Sequence, residues 1–206
     1  MTSNPPDSVL VYAGFDRIGD GSLKLPFVRG LRAAFPGARI TWLAGHEDSV
    51  YAGVLADLAH GLIDEIIENA GIGLSFGELF QDLSKGPLGG RHFDLIIDTQ
   101  RIFWTSLSLK RVPHDAFISP AARFLLSSKK PAKGYQFPKT MQRQLLDLLE
   151  LASGRDFPTP QTLDLDLNKD LRAEAARLLP EGPEYIGLAP GSGGPPKCWP
   201  LENFIE

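Results

Sequence analysis

Two charged residues of opposite sign sit on turns of the same kind. Asp20 lies in Ile18-Gly19-Asp20, just after an apolar run, and Lys197 closes Pro190-Gly191-Ser192-Gly193-Gly194-Pro195-Pro196-Lys197 near the other end. Each segment reads as strand, glycine-containing loop and helix start, which aims backbone N–H groups and the positive end of a helix at an anion above a sheet. A carboxylate cradles phosphate poorly but is suited to taking a proton from an attacking hydroxyl. A lysine on a glycine loop opposes the charge that develops on a departing diphosphate, with Ser192 as hydroxyl donor and Gly191 and Gly193 allowing close backbone approach. A base and a phosphate anchor on separate α/β units suggest an enzyme acting on a phosphorylated donor in a cleft. The plainer alternatives are that Asp20 caps a helix starting near Ser22 and that Lys197 belongs to an ordinary surface loop.

The common nucleotide motifs do not fit. Gly14 and Gly19 have Walker-A spacing, but Asp20 stands where the lysine is required, and Lys24 occupies the last glycine position of G-x-G-x-x-G. At Asp98-Thr99-Gln100 a strand ends in three polar residues, with Arg101 next, so Asp98 and Gln100 are candidates for an acceptor site as well as for helix capping. His46, His60, His92 and His114 are dispersed without metal-ligand spacing, and Asp164-Leu165-Asp166 lies in a strand-like alternation. No metal is therefore expected. The single cysteine, Cys198, has no activating histidine nearby and reads as a packed thiol.

These residues need a scaffold. Val9-Leu10-Val11-Tyr12-Ala13 reads as a buried parallel strand. Leu23, Phe27, Leu31 and Ala34 then mark one helical face, with Pro26 in the first turn and Pro36-Gly37 as the stop. The alternation repeats: strands at 39–43, 64–67 and 94–98, and helices at 50–59, 76–83 and 102–109. From Pro113 to Pro138 the pattern weakens. A helix at 141–151 follows, then an X-Pro linker at 157–160, a helix at 170–179 and a new strand from Tyr185. The fold class is α/β, with a Rossmann-type parallel sheet covered on both faces and its site at the carboxyl ends of the strands. The expected organisation is a first domain over 1–152, a linker and helix over 153–183, and the start of a second domain over 184–206.

With 206 residues, 43% hydrophobic content and a net charge of -4, the chain has the composition of a globular protein and lacks the basic surface of a nucleic-acid binder. Neither a secretory leader nor a membrane-spanning run is expected, and cysteine usage fits a reducing cytoplasm.

Taken together, these segments resemble the heptosyltransferases of lipopolysaccharide assembly, glycosyltransferase family 9. The resemblance rests on Val9-Leu10-Val11 with Ile18-Gly19-Asp20, on Pro26 to Ala38, on Phe93 to Gln100 and on Pro190 to Pro200. It implies a GT-B architecture of two Rossmann-like domains, the second cut short here. It also implies inverting, metal-independent transfer from a nucleotide-sugar, usually ADP-heptose, to a lipid-linked saccharide. By that resemblance Asp20 is the catalytic base, and Lys197, Ser192, Gly191 and Gly193 hold the donor phosphates. Gly19, Asp98 and Gln100 face the acceptor. Peripheral contact with the inner face of the cytoplasmic membrane is a further implication, and the chain as given is expected to be inactive. A non-catalytic sugar-phosphate or partner-binding homologue and a GT-B sugar-nucleotide epimerase are the alternatives.

Overall fold

A computed structural model describes residues 5–14, 16–73, 76–165, 167–188 and 198–204. Five strands form one all-parallel sheet: β1 (Ser8–Gly14), β2 (Arg39–Ala44), β3 (Glu65–Ile67), β4 (Phe93–Asp98) and β5 (His114–Ile118). Their spatial order is β3-β2-β1-β4-β5. The chain runs outward from β1 through β2 and β3, then returns to β1's other side with β4. Between β1 and β4 the order therefore reverses, and open parallel sheets bind ligands at such a reversal, above the carboxyl ends of the strands.

The side-chain alternation of β1 divides the core. Val9, Val11 and Ala13 face one cluster with Phe27, Leu31, Trp42, Ile97 and Leu149. Leu10 and Tyr12 face a second cluster with Ile96, Leu109 and Phe117. Helices α1 (Ile18–Ala34), α2 (Ala56–Ala59) and α4 (Met141–Ser153) contribute to the first, and α3 (Phe103–Leu109) to the second. Strands buried on both faces explain the near-continuous apolar runs of the sequence.

Several expectations shift. Helix α1 begins at Ile18 rather than near Ser22, so Pro26 is interior, and the buried face runs through Gly21, Lys24, Phe27, Val28 and Leu31. Leu23 is 47% exposed. The expected helix at 50–59 is a series of turns followed by the single turn of α2. The expected helix at 76–83 is two 3₁₀ turns, Phe76–Phe80 and Leu83–Lys85. Strand β5 lies in the stretch that reads as patternless; as an edge strand it carries His114 and Asp115 where a central strand would be apolar.

Two compact units divide the chain, 1–165 and 166–206. The Pro-rich stretch after α4 belongs to the first unit. Phe157 packs on the first cluster, its N–H donates to Glu150, and the Arg29 guanidinium donates to the Asp164 carbonyl at 2.5 Å. In the second unit α5 (Lys169–Leu178) starts at Asn168, whose side chain accepts from the Leu171 N–H. Residues 185–188 join no ladder, and Ile186 is 92% exposed; the expected strand has no pairing partner among the described residues. Among those residues no helix is long and apolar enough to cross a membrane.

The helix phase is testable. Phe27→Ala should cost about 3–5 kcal/mol in urea unfolding and Leu23→Ala less than about 0.5 kcal/mol. Equal costs would contradict the observed face.

Candidate functional site

At the end of β1, Gly14 adopts φ +75°, a left-handed conformation favoured by glycine. A Cβ there would lie 3.0 Å from the Gln100 amide. The chain then turns through Asp16 and enters α1 with Arg17 as N-cap, without a side-chain capping hydrogen bond. Gly19 and Asp20 are thus in the first helical turn, not in a loop, and Asp20 is not the cap. The carboxylate of Asp20 is partly exposed at the positive end of the helix. Among the described residues no hydrogen bond or ion pair engages it, and a Cβ on Gly19 would meet nothing within 4 Å.

A polar cluster inside the first core fixes this turn. Asp16 and Lys24 are 4% and 3% exposed and form an ion pair. The Lys24 ammonium also donates to the Ala13 carbonyl at 3.4 Å, and the Trp42 indole N–H donates to Asp16 at 3.2 Å. Beside them the Tyr51 hydroxyl donates to the Gly21 carbonyl at 2.7 Å, and its ring meets Trp42 edge-on. Burial, reinforced by the negative charge of Asp16, raises the Tyr51 pKa. Gly21 is required for close approach: a Cβ would stand 2.5 Å from Val50 Cγ2. In the sequence Lys24 stands out only as a break in a glycine motif. Its usable signal is a charge on the apolar face of α1.

Opposite β1, Asp98 closes β4 and is fully buried. Its carboxylate accepts from the Ser106 hydroxyl at 2.5 Å, the Ser119 hydroxyl at 2.8 Å and the Gln100 N–H at 2.8 Å. It therefore joins β4, α3 and the end of β5 from inside, and presents no oxygen to the surface. Burial pushes its pKa up to about 6 against those three hydrogen bonds. Gln100 is half-buried, and its amide donates to the Ala13 carbonyl at 2.7 Å. Both residues brace the carboxyl ends of the strands. Lys197, Ser192, Gly191 and Gly193 lie outside the described residues. Cys198 is exposed rather than packed.

The carboxyl end of β5 adds features with no sequence signature. Ala122, Arg123 and Phe124 have φ of 47°, 53° and 64°, a left-handed turn without glycine. A cavity of about 190 Å³ there is lined by Arg123, Lys130, Tyr135 and Phe137, among others. The Arg101 guanidinium covers the Phe137 ring at 3.6 Å. Burial and the hydrogen bond to Asp147 raise the Tyr135 pKa.

No family model matches the sequence, and no curated protein matches it. Solved structures do match. The glycosyl transferase family 9 structure from Veillonella parvula DSM 2008 aligns with TM-score 0.59 and 19% identity over 96% of this chain. E. coli heptosyltransferase WaaC, with ADP-2-deoxy-2-fluoro heptose, aligns at 0.53 and 18% over 95%. E. coli ADP-heptose lps heptosyltransferase II aligns at 0.55 and 21% over 94%. The fold is that of GT-B glycosyltransferases. This chain spans 58%, 62% and 57% of the three GT-B chains respectively.

The buried polar groups around these strand ends yield two tests. Asp16→Ala strands a buried ammonium and should cost about 3–5 kcal/mol, whereas Asp16→Asn with Lys24→Met should recover much of that loss, measured by urea unfolding. Asp98 binds its proton more tightly when folded, so it weakens the fold as pH rises from about 4 to about 6. Relative to Asp98→Asn, the wild type should lose about 3 kcal/mol across that window, because one bound proton is worth about 1.4 kcal/mol for each step of one in pH. Parallel pH profiles for the two proteins would contradict the buried charge.

Proposed function

We propose that this chain carries the acceptor side of an inverting, metal-independent GT-B glycosyltransferase. The position of Asp20 supports the reading most: a carboxylate without a partner among the described residues, in the first turn of α1, where the strand order reverses. In the reaction Asp20 takes the proton of an acceptor hydroxyl. The hydroxyl oxygen bonds to the anomeric carbon of the donor sugar as the bond from that carbon to the diphosphate oxygen breaks, and the nucleoside diphosphate departs. Lys197, Ser192 and the N–H groups around Gly191 and Gly193 receive the departing charge. ADP-heptose is the donor suggested by the WaaC neighbour, whose structure holds ADP-2-deoxy-2-fluoro heptose.

A lipid-linked saccharide is the proposed acceptor, which would bring the protein to the inner face of the cytoplasmic membrane for lipopolysaccharide assembly. The cavity beyond β5 suits an anionic sugar, with Arg123 and Lys130 for its charge and Tyr135 for its hydroxyls. Asp98 and Gln100 act as positioning residues for the turn that bears Gly19 and Asp20.

In the natural full-length protein, Asp20→Asn should lower kcat by about 10²–10⁴-fold while leaving the affinity for ADP-sugar within about twofold. Near-normal turnover by that variant would remove Asp20 from the role. Release of altered nucleotide-sugar without an acceptor would instead favour an epimerase.

A further inference from the structure

At the amino ends of the strands, the edge away from Asp20, the pairing of Phe93 with His114 and of Leu95 with Ala116 sets Asp94 beside Asp115. Like charges facing each other across a strand pair are destabilising. His92, two residues before Asp94, falls on the same side by the strand period. One ligand atom from each of His92, Asp94 and Asp115 lies within 4.8 Å of the other two. His92 Nε2 is 3.0 Å from Asp115 Oδ1, and His92 Nδ1 is 3.9 Å from Asp94 Oδ1.

We propose that His92, Asp94 and Asp115 bind a divalent cation of the Zn²⁺ or Co²⁺ type that ties the starts of β4 and β5 together. Asp94 is held for this by its surroundings. Its Oδ2 accepts from the Asp7 N–H at 2.8 Å, the Ser8 N–H at 2.9 Å and the Ser8 hydroxyl at 3.0 Å, which turns Oδ1 toward His92. Such anchoring is how a carboxylate ligand is oriented before metal arrives. The side chains of His92 and Asp115 are 51% and 54% exposed, so both are free to close onto ligand distances of about 2.0–2.2 Å. The nearest arginine in sequence, Arg91, is held by Glu65 through two hydrogen bonds at 2.8 and 2.9 Å, so it does not neutralise the pair. An imidazole with two carboxylates favours borderline ions over Mg²⁺ or Ca²⁺. Because the cluster is at the opposite end of the strands from Asp20, the ion is a strut between strands and takes no part in sugar transfer.

The four histidines are dispersed along the sequence, and it is the parallel pairing of β4 with β5 that assembles this set. A hydrogen bond between the His92 ring and Asp115, at 3.0 Å, is the competing way to bridge the pair. Calorimetric titration of EDTA-treated protein with ZnCl₂ and CoCl₂ separates the two. One ion should bind per chain with saturation below about 1 mM, and the melting temperature should rise by several degrees at saturation. His92→Ala and Asp115→Asn should each weaken binding by about tenfold or more while the metal-free proteins melt within about 2 °C of wild type. Absence of saturable binding, or equal binding by wild type and both variants, would overturn the site and leave His92 as a hydrogen-bonded bridge between the strands.

Discussion

The site depends on a charge pair that water does not reach. Asp16 lies in the turn from β1 into α1 and Lys24 in α1 itself, both almost fully buried, and they hold each other along with the Ala13 carbonyl and the Trp42 indole. Burying two charges is costly unless each finds good partners, so such a pair tolerates few alternative geometries. The turn between them is the one that carries Gly19 and Asp20. Where α1 begins, and which way its first turn faces, follows from this constraint more than from local helix signals, since Arg17 supplies no side-chain cap.

Around that turn the strand ends are braced from the side of β4. Asp98 gathers donors from Gln100, Ser106 and Ser119, joining three elements through one carboxylate. Gln100 reaches across to the end of β1, and Gly14 accommodates it by having no Cβ. The candidate polar residues therefore divide into two kinds. Asp98 and Gln100 are held by hydrogen bonds from within, while Asp20, partly exposed in the first turn of α1, has no such partner among the described residues.

Much of this scaffold is legible in the sequence because parallel strands buried on both faces write themselves as apolar runs; β1, β2 and β4 can be placed to within about a residue. The helix start cannot. Gly19 and Gly21 look like loop residues, yet both are in α1, and position 21 needs glycine because Val50 packs where a Cβ would be. Edge strand β5 escapes notice because His114 and Asp115 break its pattern, and the left-handed turn at Ala122 to Phe124 contains no glycine to announce it. Asp20 is visible as chemistry from its turn. The burial of Asp98 is not, since a strand-end aspartate looks the same whether it faces a ligand or a pair of serines. The Asp16–Lys24 pair spans eight residues and is closed by tertiary packing, which local sequence does not report.

The central claim is that Asp20 meets the attacking oxygen of an acceptor sugar. It is tested most directly by a crystal structure of the natural full-length protein with a non-transferable nucleotide-sugar and its saccharide acceptor. The account predicts an acceptor hydroxyl about 2.6–3.2 Å from an Asp20 carboxylate oxygen and in line with the anomeric carbon. An acceptor whose reacting hydroxyl is bound by another base, with Asp20 turned to solvent, would contradict it.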